Sequence, residues 1–126
     1  MVFAKAEIVS KPHLFDILFL YPNFTSKKMK SSFQTIISSS PTVLVDFFAT
    51  WCGPCKTLGP ILEQVKDELG DAVKIVKIDV DKNQALATKY QVRGVPTMIL
   101  YKEGKQVWRQ SGVVQKEQLK QVIASS

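Results

Sequence analysis

Cys52 and Cys55 are the only two cysteines of this 126-residue chain, and they stand three positions apart within Trp51-Cys52-Gly53-Pro54-Cys55-Lys56. Two thiols at this spacing approach closely enough to close an intramolecular disulfide when the first sits at a helix start and the second one turn in. The flanks predict that setting, because an apolar strand-like run precedes the pair and a helix-periodic run follows it. A helix N-terminus acts unequally on two such thiols. Its unpaired N–H groups and the positive end of its dipole favour Cys52 as thiolate, while Cys55, inside the first turn, is expected to be more shielded. Unequal thiols make a directional redox reagent.

Other chemistries fit less well. One closely spaced pair closes too small a loop to staple a secreted scaffold, so the cysteines read as functional rather than structural. A closed zinc site wants four ligands, and the cysteines with His13 supply three soft candidates. The formal charge of +6 invites a nucleic-acid reading, but residues 1–30 hold five Lys against Glu7 and Asp16 and so carry +3 of it. Of seventeen basic residues only Arg93 and Arg109 are arginine, and the one tight cluster is Lys27, Lys28 and Lys30. That pattern describes a solvated basic surface without a nucleic-acid partner.

The elements that must position the cysteines follow from periodicity. With 45% hydrophobic residues the chain suits one domain, expected over residues 29–126, preceded by an extension over residues 1–28. The extension contains Phe3, Phe15, Phe19 and Phe24, and no glycine occurs before Gly53. Asp16 interrupts its apolar stretch Leu14 to Tyr21, which is too short to span a membrane and lacks a small-x-small cleavage site. It also lacks arginine, so it fits a transit peptide poorly. Asn23-Phe24-Thr25 matches the glycosylation sequon and is read as a chance match, and Met29 is a candidate start for a complete domain.

From Ser31 the pattern is regular. Ser32 is placed to cap a short helix with Phe33, Ile36 and Ile37 on one face, ending at Ser38-Ser39-Ser40-Pro41. Thr42 to Phe48 is nearly continuously apolar, as expected of a strand covered on both faces, with Asp46 inside it. After the cysteines Leu58, Ile61, Leu62, Val65 and Leu69 recur at helical spacing up to Gly70, and Pro60 should kink that helix. A strand from Val73 to Val80 implies a right-handed parallel crossover. A short helix around Ala85 to Tyr90, the strand Thr97 to Tyr101, a turn at Lys102-Glu103-Gly104-Lys105, a returning strand through Val107 and Trp108, and a helix over Gln118 to Ile123 complete the domain.

Trp51-Cys52-Gly53-Pro54-Cys55-Lys56 after Val45-Asp46-Phe47-Phe48-Ala49-Thr50, with Pro60 and then Arg93-Gly94-Val95-Pro96-Thr97 downstream, closely resembles the thioredoxin family over residues 31–126. The resemblance implies an α/β thioredoxin fold, with a central mixed four- or five-stranded sheet flanked by helices on both faces. The family's additional first strand has a weak candidate in residues 24–30. The resemblance also implies a dithiol–disulfide oxidoreductase with no bound cofactor beyond the Cys52–Cys55 disulfide. Its partners would be proteins with accessible disulfides and an NADPH-dependent flavoprotein, thioredoxin reductase, or ferredoxin-linked reduction in plastids.

Matched positions then take roles. Cys52 is the expected nucleophile, because the thiolate attacks disulfides, and Cys55 the resolving thiol, acting from within the same chain. Asp46 is costly in an apolar strand, so its pKa should rise. By resemblance it lies beneath the cysteines and helps move the Cys55 proton, with Lys77 on the neighbouring strand as charge partner; the plainer reading is an aspartate facing solvent at a strand edge. Val95-Pro96-Thr97 resembles the family's cis-proline turn, where the Val95 backbone pairs with an extended substrate. Trp51, Gly53, Pro54, Val95, Pro96, Gly112 and Val113 would form a flat docking surface, with plain packing as the alternative for Trp51.

Gly53-Pro54 carries no charge, so thiolate stabilisation rests on the helix end and Lys56, at about 0.3–1 kcal/mol each. At roughly 1.4 kcal/mol per 30 mV this moves the potential by only a few tens of millivolts, which favours a reductant over a strong oxidant. The reading is therefore a monomeric, cytoplasmic protein-disulfide reductase that does not bind membranes. Two alternatives stay open, a non-catalytic binding subunit using the same face and a periplasmic or organellar oxidoreductase.

Overall fold

Strand β2 (Thr42–Phe48) is the centre of a five-stranded sheet in the computed structural model, which describes residues 6–8 and 26–126. The sheet order is β1-β3-β2-β4-β5, with β1 at Ala6–Ile8, β3 at Lys74–Asp79, β4 at Thr97–Lys102 and β5 at Lys105–Ser111. Strand β3 runs parallel to β2, whereas β1 is antiparallel to β3, and β4 and β5 are antiparallel to their neighbours. Four α-helices accompany the sheet among the described residues: α1 (Ser26–Ile37), α2 (Gly53–Leu69), α3 (Gln84–Lys89) and α4 (Lys116–Ser125).

The two-residue side-chain alternation of strands divides the core into two layers. On one face Val43, Val45 and Phe47 of β2 join Val76, Ile78, Ile99 and Tyr101 against Phe33, Ile36 and Ile37 of α1 and Leu86 of α3. On the other face Leu44, Ile75, Met98 and Leu100 pack against Leu58, Leu62 and Val65 of α2 and Leu119 and Ile123 of α4. The near-continuous apolar run of β2 is the sequence signature of this double cover. Asp46 shares parity with Leu44, which places it on the α2 side.

Several expectations shift. The helix expected to start at Ser32 starts at Ser26, so residues 26–30 form a helical turn and not the additional strand. Lys27, Lys28, Met29 and Lys30 are all good helix formers and lack the alternation a strand requires. The extra strand is instead Ala6–Ile8, which lies against β3 with Glu7 in register with Lys77. Helix α1 thus crosses the expected boundary between residues 28 and 29. His13, the stretch Leu14 to Tyr21, the Asn23-Phe24-Thr25 triplet and residues 24 and 25 of the strand candidate lie outside the described residues. The last helix begins two residues before its expected start, at Lys116. Between β4 and β5 the turn residues Glu103 and Gly104 have φ of 52° and 79°, the double positive φ of a type I′ hairpin.

Helix α2 is continuous through Pro60. At its far end the buried Lys66 ammonium donates to the carbonyl oxygens of Gly70 (2.8 Å) and Val73 (2.7 Å), tying the turn that follows Leu69 back to the helix. Glu68 on the same helix bonds Lys116 and Lys120 of α4 at 2.6 Å each, tying the two helices together at the surface.

Candidate functional site

The helix start that carries the cysteines is built by its own sequence. Cys52 is the N-cap of α2, with φ −90° and ψ 116°, and Gly53-Pro54 open the first turn, where proline's missing N–H costs nothing. The Cys55 N–H points at the Cys52 Sγ at 3.1 Å, the position a serine or aspartate oxygen takes in an ordinary cap. Cys52 and Cys55 are joined as a disulfide, with Cα atoms 5.3 Å apart. A backbone N–H aimed at Sγ favours negative charge on that atom once the bond is reduced.

Burial does not separate the two sulfurs as expected. Cys52 is 4% exposed and Cys55 6%, so Cys55 is not the more shielded residue. Both are covered from outside the helix, because Phe48 and Ala49 at the end of β2, Val80 after β3 and Val95 close around the pair. What distinguishes the sulfurs is their neighbours. Cys52 Sγ takes the cap N–H and lies 3.6 Å from the Val95 carbonyl oxygen, on the side where the chain turns through the cis Val95–Pro96 peptide. Cys55 lines a hollow of about 340 Å³ on the other side, shared with Phe48, Ala49, Thr50, Lys56, Gly59 and Lys77.

Asp46 is fully buried, and neither of its carboxyl oxygens has a hydrogen-bond partner among the described residues. Burial away from water pushes its pKa from 3.8 to about 7, and the charge of Lys77 pulls against that rise. The two are directly opposite in the β2–β3 register and, by strand parity, on the α2 face of the sheet. Lys77 also sits over the Phe48 ring, 4.9 Å from its centroid, and lines the hollow that reaches Cys55. The solvent-facing strand-edge reading of Asp46 is therefore excluded.

The docking candidates gather around Cys52. Trp51 is 69% exposed, which removes plain core packing as its explanation. Its indole N–H donates to Asp81 at 2.8 Å. Gly53 and Pro54 are exposed, Val95 is half-buried against the cysteines, and Pro96 is buried. Gly112, at φ 91°, places its N–H on the Pro96 carbonyl at 2.9 Å, bringing the exposed Val113 to the same rim. Sequence reasoning misses Asp81, because a short polar loop after a strand carries no signal of which aromatic it will meet.

Three comparisons bear on these features. Residues 24–125 match the family model described as Thioredoxin. A thioredoxin-like protein of Synechocystis is 50% identical over 98 residues, covering 77% of this chain and 93% of that protein. The thioredoxin of Bacillus subtilis is 48% identical over 86 residues, covering 68% of this chain and 83% of its own. Chloroplastic thioredoxin Y of Oryza sativa is 45% identical over 101 residues, and this chain spans 60% of that protein's length against 79% of its own. Among solved structures, a point mutant of a thioredoxin from Halobacterium salinarum superposes with a TM-score of 0.69 at 44% identity, over 75% of this chain and 82% of that one. With a capped cysteine pair at a helix start, a buried carboxyl in the central strand and the matched model spanning four-fifths of its residues, the chain belongs to the thioredoxin family.

Proposed function

We propose that this thiol–disulfide oxidoreductase works as a reductant of protein disulfides, docked on the rim formed by Trp51, Gly53, Pro54, Val95, Pro96, Gly112 and Val113. The observation that carries the direction of attack is the Cys52 Sγ held as helix cap beside the Val95 carbonyl. In the reduced protein the Cys52 thiolate attacks one sulfur of a substrate disulfide; that bond breaks, a mixed disulfide forms and the first substrate thiolate leaves. Cys55 then loses its proton and attacks Cys52 Sγ. The mixed disulfide breaks, the second substrate thiolate leaves, and the protein keeps the Cys52–Cys55 disulfide while the substrate has gained two electrons.

Asp46 accepts the Cys55 proton in this reading, through water in the hollow that Cys55 and Lys77 share. A carboxyl with a pKa of about 7 is suited to take and release a proton near neutral pH. Lys77 holds the carboxylate formed. The Asp46→Asn variant should resolve mixed disulfides more slowly, with little of the wild type's pH dependence around pH 7; an unchanged profile removes the role.

Regeneration by an NADPH-dependent thioredoxin reductase belongs to the same proposal, as does a cytoplasmic setting for a monomer. The competing setting is a plastid, where several relatives carry the chloroplastic name, and imaging of the tagged full chain decides between them. The test of function is turnover of a disulfide protein with that reductase and NADPH. Cys52→Ser should abolish turnover, and Cys55→Ser should accumulate the mixed disulfide, seen on non-reducing gels. Turnover retained by Cys52→Ser removes Cys52 as the nucleophile, and a cellular role that survives that change favours the binding-subunit alternative.

A further inference from the structure

The segment Tyr90 to Pro96 joins α3 to the docking rim, and strand β5 grips it at both ends. At its start α3 closes with the Val92 N–H on the Ala87 carbonyl (2.8 Å) and the Gln91 N–H on the Thr88 carbonyl (3.0 Å), the paired bonds of a Schellman cap. The left-handed residue of that cap is normally glycine, yet here Gln91 takes it, with φ 56°. Arg109 of β5 lies against this turn and donates through its two terminal nitrogens to the carbonyl oxygens of Tyr90 and Gln91, each at 2.7 Å. The planar guanidinium meets the two acceptors from two separate nitrogens held rigidly in one plane.

At the other end Thr97 Oγ1 is 2.6 Å from the Gly94 carbonyl oxygen and 2.9 Å from Ser111 Oγ. A carbonyl only accepts and a hydroxyl has one proton, so Thr97 donates to Gly94 and must accept from Ser111. Within this second grip, between Gly94 and Thr97, lies Val95, whose carbonyl stands 3.6 Å from the Cys52 sulfur.

We infer that Arg109 and Ser111 are positioning residues for substrate docking: together they splint the segment that carries Val95, fixing its backbone at the height an extended substrate needs beside Cys52. This rests on the docking reading above. Neither residue bonds the cysteines; Arg109 acts through the Tyr90 and Gln91 carbonyls, and Ser111 through the Thr97 hydroxyl that donates to Gly94.

Arg109→Ala, Arg109→Lys, Ser111→Ala and the double alanine variant test this, with steady-state kinetics on insulin as protein disulfide and on a small aromatic disulfide that presents no backbone to pair. For each alanine variant the KM for insulin should rise roughly threefold to tenfold with kcat within about twofold, the size expected when hydrogen bonds that order a loop are lost. Arg109→Lys should restore it only in part, because a compact ammonium on a flexible stem does not reproduce two guanidinium nitrogens held rigidly in one plane. Kinetics on the small disulfide and the reduction potential should stay at wild-type values. Equal losses on both substrates, full rescue by lysine, or unchanged KM for insulin in the double variant overturns the inference. Val95→Glu separates the two readings: if it leaves the KM for insulin unchanged, docking at Val95 itself fails, whereas a changed KM beside silent Arg109 and Ser111 variants rejects only the splint.

Discussion

Asp46 couples the chemistry of the site to the stability of the chain. Unfolded, it titrates near its ordinary 3.8; folded, burial raises it to about 7 against the pull of Lys77. Between those values the folded chain holds a proton that the unfolded chain has released. The stability this group contributes is therefore complete below about pH 4, falls as pH rises toward 7, and stays lost above. The fall is on the order of 4 kcal/mol at 1.36 kcal/mol per pKa unit. Urea unfolding of the oxidised protein at several pH values should show that slope, and Asp46→Asn should remove it. The cost is retained because the same unpartnered carboxyl is what moves a proton at neutral pH. In the sequence Asp46 stands out as a polar residue in an apolar run, whereas Lys77 can be paired with it only through the resemblance.

At the scale of elements, helix α2 is held at both ends by side chains. Its start depends on sulfur rather than oxygen as cap acceptor, so reduction changes the charge of the capping atom itself. Its end depends on Lys66, a lysine only 6% exposed that satisfies the Gly70 and Val73 carbonyls. Lys66→Met keeps the aliphatic stem and leaves both acceptors unpaired. It should lower unfolding stability by about 1–3 kcal/mol while leaving disulfide reduction intact, measured by denaturant titration and turnover. Loss of turnover at preserved stability would contradict a purely structural role. The helical period marks the buried face of α2, but Lys66 next to Val65 reads from sequence as an ordinary solvated position. Its burial follows from the 3₁₀ turn Gly70–Ala72, which folds acceptors back over the helix end.

For the whole molecule the N-terminal segment is the feature most dependent on long-range packing. Strand β1 contributes three register pairs to β3, whereas β2 and β3 share six. Deleting residues 1–8 should therefore leave the chain folded and active, with amide exchange rising along the exposed edge of β3 and not in β2 or β4. Unfolding on deletion, or protection of β3 unchanged from the full chain, contradicts the pairing. Glu68 with Lys116 and Lys120 ties α2 to α4; the two lysine hydrogen bonds hold the Glu68 carboxyl down to about 2, but the pairs lie at the surface, where salt screens them.

The amino-acid sequence alone determined the reactive pair, the order of the helices and strands from residue 31 onward, and the double cover of β2, because each of these is written in local spacing and in the 2.0 and 3.6 periods. Only the tertiary structure decided what faces what. Ala6–Ile8 became the edge strand, the residues from Ser26 became helix, Trp51 met Asp81, and Arg109 came to grip a turn eighteen residues away. Such contacts join positions that share no period, and a side chain's partner across a sheet is set by register and packing.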